Sequence, residues 1–472
     1  MRAVRLVCAG LGLAAAPSAF AVEAGFSGSS LSPLWIVPFA GILLSIAVAP
    51  VTAPSFWHHH FGKTSAFWAL AFLVPFAGYY GVDLAVREVV HTLLAEYVPF
   101  IILLLALFTV SGGIHVRGNL HGSARLNTGI LALGTVLASI MGTTGAAMLL
   151  IRPLLRANDN RRHCAHVVIF FIFLVANIGG ALTPLGDPPL FLGFLKGVDF
   201  FWTTKAMLWP TLLASALLLG VFHVVDTWFW RRPDEARPPE RDPTADEPIR
   251  IDGKLNFVFL GVIVVAVLLS GLWKPGLSIT VAGTTRELQG IVRDVLLLGI
   301  AWASWRLTPR AVREAHQFTW GPIVEVAKLF AGIFLTIIPA IAMLRAGSDG
   351  ALAPLVNLVT SADGSPNDAL YFWVTGALSS FLDNAPTYLV FFNLASGDAA
   401  EMMGPLASTL TAISVGAVFM GANTYIGNAP NFMVKAIAEE RGVRMPSFFG
   451  YMLWSGAVLM PLFAAVTWIW FL

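Results

Sequence analysis

Ten apolar stretches, each long enough to cross a lipid bilayer, recur along this chain. A helix needs about 20 predominantly apolar residues to span the hydrocarbon core. Only 12% of the residues are charged, which is about half of the usual fraction in soluble domains. This number of charges is too small to cover a water-facing surface, which excludes a large soluble enzyme. An all-α polytopic membrane protein is therefore expected. The predicted spans are 34–53, 66–82, 97–115, 164–195, 204–229, 255–273, 290–306, 320–345, 405–438 and 447–471.

Two further apolar stretches, 126–155 and 369–396, each fit either one span or a re-entrant hairpin. Arginines flank the first stretch on both sides, whereas no Lys or Arg occurs between Arg345 and Lys435, around the second. Because cytoplasmic loops carry an excess of Lys and Arg, both ends of the first are predicted inside and both ends of the second outside. Each stretch is therefore predicted to be a hairpin. This topology places 19 of the 29 Lys and Arg residues in inside loops and 7 in outside loops.

Two polar or basic segments divide the chain. Residues 1–21 combine a basic start, a short apolar stretch and a small-x-small cleavage site, which predicts a signal sequence. An uncleaved first membrane helix is the alternative. Residues 231–254 are rich in proline and in charges of both signs, as in a solvated linker, and are predicted to be cytoplasmic. This linker separates a first half, 33–230, from a second half, 255–472.

The two halves are predicted to repeat the same elements in opposite orientation. Each contains about five spans and one re-entrant hairpin, and one long span in each half is broken by Gly and Pro. Such inverted repeats are typical of secondary transporters. The segment 183–190 (TPLGDPPL) resembles 424–431 (TYIGNAPN) at an offset of 241, and 143–146 (TTGA) aligns with 383–386 (DNAP) at an offset of 240.

Two carboxylates lie at these interruptions, Asp187 in the first broken span and Asp383 at the tip of the second hairpin. An intramembrane carboxylate is by default a functional-site hypothesis, because it is costly when unpaired. Hard oxygen ligands suit Na⁺, and H⁺ can compete for the same oxygens, which gives antiport. The alternatives are a carboxylate that only caps a half-helix and a pair of proline kinks without a ligand.

Neutral side chains near the breaks and the hairpin tips can complete a cation shell. Some of them are expected only to satisfy the backbone of the broken helices. The predicted set is Thr143, Thr144, Asn177, Thr183, Asn384, Asn423, Thr424 and Asn428.

Glu325 and Lys328 form a separate candidate for a proton path. Their i, i+3 spacing places them on one helix face, in the first turns of the 320–345 span. A mutually neutralising pair near the membrane interface is the alternative.

Two motifs carry a resemblance to a known superfamily. Residues 177–187 (NIGGALTPLGD) resemble an Asn-x-Gly-Gly-x-x-x-Pro-x-Gly-Asp element, and 379–386 (SSFLDNAP) resemble a Ser-x-x-x-Asp-Asn-x-Pro hairpin. The chain after residue 33 is therefore similar to the ion transporter superfamily, namely NhaD-type sodium/proton antiporters and citrate-transporter-like (CitMHS-type) proteins. The resemblance implies a homodimer with a mobile transport unit. It also implies functional roles for four of the predicted residues, Asp187, Asp383, Asn384 and Thr183.

The expected function is Na⁺(Li⁺)/H⁺ antiport across a bacterial inner membrane, with no cofactor beyond the transported ions. The carboxylate-transporting branch carries Ser-Asn-Thr at both hairpin tips, whereas the tips here read GTTG and LDNAP. An acidic tip disfavours citrate, yet a citrate or dicarboxylate symporter and a metalloid anion exporter stay open. The chain has no P-loop for ATP and no nucleophile–base pair for catalysis. Its few, scattered basic residues indicate no nucleic-acid partner, which leaves the lipid bilayer and small inorganic ions as partners.

Overall fold

The computed structural model describes residues 27–118, 120–232, 234–235, 248–361 and 364–472, and these are mostly helical. Backbone N–H and C=O groups in lipid must be hydrogen-bonded within the protein, and a helix achieves this within one segment. The expected all-α polytopic membrane architecture is confirmed. The predicted signal sequence, 1–21, and most of the linker lie outside the described residues.

The described part of the first half contains nine α-helices, which range from long, partly exposed helices such as α2 and α9 to short buried ones such as α7. A short π-helical turn joins the third helix to the fourth. The helices are α1 (Val37–Thr52), α2 (Pro54–Tyr80), α3 (Val82–Thr92), α4 (Val98–Ser111), α5 (Ala124–Met141), α6 (Thr143–Ala157), α7 (Ala165–Leu174), α8 (Pro188–Leu195) and α9 (Trp202–Trp230).

The described part of the second half contains twelve α-helices, several of them short. They are α10 (Leu255–Leu272), α11 (Leu288–Leu307), α12 (Arg310–Ala315), α13 (Gly321–Thr336), α14 (Ile338–Arg345), α15 (Ala353–Leu358), α16 (Asp368–Phe381), α17 (Asn384–Ala395), α18 (Ala399–Met403), α19 (Ala407–Met420), α20 (Ala429–Glu440) and α21 (Phe448–Trp470).

Two small antiparallel sheets accompany the helices. Strand β1 (His115–Arg117) pairs with β2 (Arg250–Asp252), with His115 opposite Asp252. The end of the predicted linker is therefore hydrogen-bonded to the loop that follows α4. Strands β3 (Ser278–Val281) and β4 (Thr284–Glu287) form a hairpin between α10 and α11.

Seven helical segments of the described chain are long and apolar enough to cross a membrane, and one bent pair adds an eighth. Three predicted spans, 66–82, 290–306 and 405–438, contain helix but fall outside this set, and the last is interrupted between Met420 and Ala429. The first belongs to α2, which carries His58, His59 and His60 in its first turns. The second, α11, contains the buried ion pair of Arg293 and Asp294. The seven are Pro33–Thr52, Val82–Ser111, Ala124–Met141, Ala165–Leu182, Trp202–Trp230, Leu255–Leu272 and Phe448–Trp470.

Both ambiguous stretches fold back on themselves as helical hairpins. In the first, α5 turns sharply at Gly142 into α6, and Gly122 N–H donates to the Ala157 carbonyl at 2.5 Å, so the two open ends meet. In the second, α16 turns into α17, and the Tyr371 and Phe391 rings lie 6.3 Å apart near its open end.

Both long interrupted spans are broken where glycine and proline predict it. Helix α7 ends at Leu174, a 3-10 turn covers Ile178–Leu182, and α8 begins at Pro188. Helix α19 ends at Met420, a 3-10 turn covers Gly421–Asn423, and α20 begins at Ala429. Each break therefore leaves an irregular segment between two half-helices.

One predicted span, 320–345, is bent by 42° between α13 and α14. Pro339, the second residue of α14, has no N–H to donate to the carbonyl one turn back. The single predicted span is therefore two helices.

The two halves interlock rather than lie side by side. Helix α2 packs against α13 and α4 against α11, while α6 packs against α20 and α8 against α17. The hairpins and the half-helices of the breaks thus share one buried core.

The tip of the first hairpin depends on Gly142, whose φ of +82° and ψ of 150° are open almost only to glycine. We expect Gly142→Ala to lower the free energy of unfolding by about 1–3 kcal/mol because of this backbone strain. Unfolding of the purified protein in detergent measures it. The control is Gly129→Ala in α5, where an added Cβ meets nothing within 4 Å, and it should change stability by less than about 1 kcal/mol, in the stabilising direction. Equal losses in both variants would contradict the expectation.

Candidate functional site

The Asp187 carboxylate lies where both hairpin tips and both breaks meet, and the residue is 1% exposed. Its Oδ1 accepts hydrogen bonds from Thr143 Oγ1 at 3.1 Å and from Asn428 Nδ2 at 3.2 Å. Its Oδ2 accepts one from Asn384 Nδ2 at 2.5 Å. Thr143 begins α6, Asn384 begins α17 and Asn428 precedes α20, so one carboxylate joins four elements from both halves.

Local sequence explains why Asp187 faces these partners and not its own helix. It occupies the N-cap position of α8 but makes no capping hydrogen bond. An N-cap side chain bonds the second or third backbone N–H of a helix, and here Pro188 and Pro189 remove the first two donors. The capping alternative therefore does not describe Asp187.

Asp383, in contrast, is a helix cap. Its Oδ1 accepts a hydrogen bond from Ala385 N–H at 3.0 Å at the start of α17, and the side chain is half-buried. The residue is adjacent to Asn384, which holds Asp187. Capping uses one oxygen of Asp383. It also places this second carboxylate at the hairpin tip that contacts Asp187 through Asn384.

Thr183 and Thr424 seal the two breaks onto the hairpins in the same way. Thr183 Oγ1 donates to the Ser139 carbonyl at 2.5 Å and accepts from Leu185 N–H at 3.1 Å. Thr424 Oγ1 donates to the Ser380 carbonyl and accepts from the N–H two residues later at 3.2 Å. Both hydroxyls are therefore used by backbone groups, as expected for some members of the predicted set.

The asparagines of the set connect the two broken helices to each other. Asn177 Nδ2 donates to Asn431 Oδ1 at 2.8 Å, and Asn428 Nδ2 reaches Asn177 Oδ1 at 3.3 Å. Asn423 Nδ2 instead donates to Ser380 Oγ at 2.9 Å in the second hairpin. These contacts hold the breaks of the two halves together around Asp187.

Two buried amide oxygens near the hairpin tips have no hydrogen-bond partner among the described residues, Asn384 Oδ1 and Asn423 Oδ1. Buried acceptors in folded proteins are nearly always satisfied, and an amide oxygen is a hard ligand of the kind that binds small cations. Within the described chain, no basic side chain forms an ion pair with Asp187 or Asp383. The arrangement offers oxygen atoms and negative charge without a resident counter-ion from the protein.

Four helix N-termini surround this carboxylate. Helices α6, α8, α17 and α20 begin at Thr143, Pro188, Asn384 and Ala429, which are the site residues or their immediate neighbours. A helix N-terminus carries a partial positive charge. These backbone dipoles, with three neutral donors, stabilise a charge that no side-chain cation offsets.

The remaining predicted residues lie apart from the Asp187 carboxylate. Thr144 is half-buried next to Thr143, and its hydroxyl does not bond to Asp187. The Glu325 carboxylate lies beside Trp57, and Lys328 Nζ lies 5.5 Å from the centre of the Phe61 ring. Both side chains of this pair thus face α2, and they form no ion pair with each other in the described structure.

Sequence reasoning missed three residues that shape the site, Ser139, Ser380 and Asn431. A signal existed for the serines, because Ser139 and Ser380 are separated by 241 positions, the same offset as Thr183 and Thr424. No such signal existed for Asn431, whose position in the first half is occupied by leucine.

Comparison with known proteins assigns the family. The family model described as "Putative citrate transport" matches residues 28–471. The chain belongs to this family. Uncharacterized transporters from Mycobacterium tuberculosis and Mycobacterium bovis are each 25% identical to it over 346 residues, which cover 70% of this chain and 72% of each relative. The resemblance to citrate-transporter-like proteins is confirmed, and the chain is a multi-pass membrane transporter.

Removal of the Thr143 hydroxyl tests its bond to Asp187. We expect Thr143→Val to lower the free energy of unfolding by about 1.5–3 kcal/mol, the usual contribution of a hydrogen bond to a charged group. The matched control is Thr144→Val in the same helical turn, which should stay within about 0.5 kcal/mol of the wild type. Thermal unfolding in detergent compares them, and indistinguishable midpoints would argue against the bond.

Proposed function

We propose that this transporter exchanges Na⁺ or Li⁺ for H⁺ across a bacterial inner membrane, with Asp187 and Asp383 as the groups that bind both ions. The observation that carries this proposal is the buried Asp187 carboxylate, which meets only neutral donors beside the unpartnered Asn384 oxygen. A buried negative charge is costly without a counter-charge. Either a metal cation or a proton removes that cost.

Competition for the same oxygens produces the exchange. A bound cation would be held by the carboxylate oxygens of Asp187 and Asp383 and by Asn384 Oδ1, while the three donors stay on Asp187 or rotate away. A proton on the carboxylate would instead displace the cation. The site then holds one ion type at a time. When it carries a cation across the membrane in one direction, it must therefore carry a proton back in the other.

We also infer an inverted repeat with two hairpins that enter the membrane from opposite sides. The support for this repeat is a single sequence offset of 241. It relates Thr143 to Asn384, the first residues of the second arm in each hairpin. It also relates Thr183 to Thr424, the threonines that bond each break to its hairpin. A single offset of 241 then relates both the tips and the breaks, in place of 240 for the tips. A signal sequence, a cytoplasmic linker, a homodimer and transport without catalysis complete the proposed description.

A citrate or dicarboxylate symporter that moves its anion with a cation is the second candidate. Two observations favour it, the membership in a family described as putative citrate transport and the four helix N-termini at the site, which can bind an anion. A co-transported cation would then offset the two carboxylates.

Everted membrane vesicles with a pH-sensitive dye test the first proposal. Addition of Na⁺ or Li⁺ should produce dequenching with the wild type, and we expect Asp187→Asn and Asp383→Asn to reduce it to background. Asn caps a helix about as well as Asp, so loss in Asp383→Asn would reflect the missing charge and not the missing cap. Asp398→Asn is the control, because Asp398 caps the exposed helix α18 through Ala400 N–H and Glu401 N–H. Full exchange in both site variants would reject the carboxylate mechanism.

Proteoliposomes separate the second candidate from the first. If the chain is a cation/H⁺ antiporter, labelled citrate and succinate should not accumulate above protein-free liposomes under an imposed Na⁺ or H⁺ gradient. Gradient-driven accumulation that Asp187→Asn abolishes would replace antiport by symport.

A further inference from the structure

A cavity of about 700 Å³ lies away from Asp187, at the ends of α6, α9 and α20 and at the start of α21. Five arginines and two histidines line it, with one acidic residue, Asp159. The positive-inside rule assigns this arginine-rich end to the cytoplasm. The arginines are Arg156, Arg161, Arg162, Arg441 and Arg444.

Two of these arginines are already neutralised by the protein. Arg161 is fully buried and pairs with Asp226 Oδ1 at 2.7 Å and Glu235 Oε1 at 2.9 Å. Arg162 lies 3.6 Å from Asp234 Oδ2. Arg161 therefore lies in the buried wall of the cavity, whereas the Arg162 side chain is exposed.

The other three arginines have no carboxylate partner within the described part of the chain. Arg156 Nη2 donates to the Val116 carbonyl at 2.6 Å, while Arg441 and Arg444 are exposed at the mouth. Burial lowers the pKa of Arg156, and the positive charge of Arg441 lowers that pKa further. Like charges from two separate elements are thus close enough to repel, and an anion between them would relieve this repulsion.

The surroundings of the mouth indicate where such an anion comes from. Phe229 and Trp454 line the cavity. The neighbouring Trp228, Phe449 and Leu453 are 57%, 74% and 77% exposed, as expected for a surface that faces lipid. An arginine fork matches phosphate geometry, and basic pockets between membrane helices on the cytoplasmic side bind anionic headgroups.

We propose that this cavity binds a phosphate group through Arg156, Arg441 and Arg444, supplied by the headgroup of an anionic phospholipid. The guanidinium groups bind the phosphate oxygens. The apolar rim, formed by the exposed side chains of Trp228, Phe449 and Leu453, contacts the acyl chains. A soluble phosphate would use the same groups but not the rim.

Such a ligand would join the far ends of the two helices that hold Asp187. Helix α6 carries Thr143 at its start and Arg156 near its end, while α20 follows Asn428 and leads into Arg441, and the two helices pack together. If the proposed exchange function holds, lipid occupancy would alter the exchange rate through these helices. Binding itself does not require that function and is measured separately.

The test titrates the purified full-length protein in neutral detergent and follows its thermal unfolding midpoint. The ligands are dioctanoyl phosphatidylglycerol, dioctanoyl phosphatidylcholine with the same chains, and inorganic phosphate. We expect a saturable rise with phosphatidylglycerol and not with phosphatidylcholine. Loss of two arginines in Arg441→Gln/Arg444→Gln should weaken the apparent affinity by about 30-fold. The control Arg306→Gln/Arg310→Gln removes two exposed arginines from the same end but outside the cavity and should titrate like the wild type.

Each outcome decides the proposal. A phosphatidylglycerol response in the wild type and the control that is weakened in the cavity variant supports a lipid phosphate. An equal response to inorganic phosphate, lost in the same variant, supports the phosphate site and assigns a soluble source. If wild-type protein responds alike to both lipids and not to phosphate, the proposal is overturned, and this comparison does not depend on whether the variants fold.

Discussion

Two broken membrane helices are the constraint on which the rest of this structure depends. A break exposes backbone donors and acceptors that lipid cannot satisfy, so each break must be buried against other protein. Here each break is sealed by the hairpin of its own half, through a threonine that donates to the serine carbonyl near the hairpin tip. The hairpins therefore satisfy backbone groups of the broken helices and also contribute side chains to the site. The interlocked packing of the halves follows, because the second arm of each hairpin also packs against a half-helix of the other half.

The site is a consequence of that sealing. Four helix starts meet where the hairpin tips enclose the breaks, and their dipoles favour negative charge at that point. Asp187 occupies it, with proline residues behind it that remove the amides it would otherwise cap. The residue 241 positions after it is Asn428, which donates a hydrogen bond to Asp187 instead of repelling it. One acid and one amide from the two halves of the chain thus belong to a single hydrogen-bonded centre.

Much of this arrangement could be predicted from the sequence because charge is scarce in it. The few basic residues indicated both hairpins, and glycine and proline indicated both breaks. Asp187 stood out as a carboxylate in an apolar span. The contacts of each predicted residue could not be predicted, since they depend on elements far apart in the chain. Thr183 seals a break, Asp383 caps a helix, and Glu325 and Lys328 face α2 instead of each other. The bend at Pro339 was missed because a proline early in a helix is compatible with either a straight or a bent span.

Asp187 is held by residues from both halves of the chain, and this determines when its contacts can form during synthesis. The chain is made from its N-terminus, so Asp187 enters the membrane together with Thr143 but well before Asn384 and Asn428. For that interval the carboxyl group has only one of its three final side-chain donors, in a medium that penalises charge. The polar centre is therefore incomplete until Asn384 and Asn428 follow, so it is the second half of the chain that completes it.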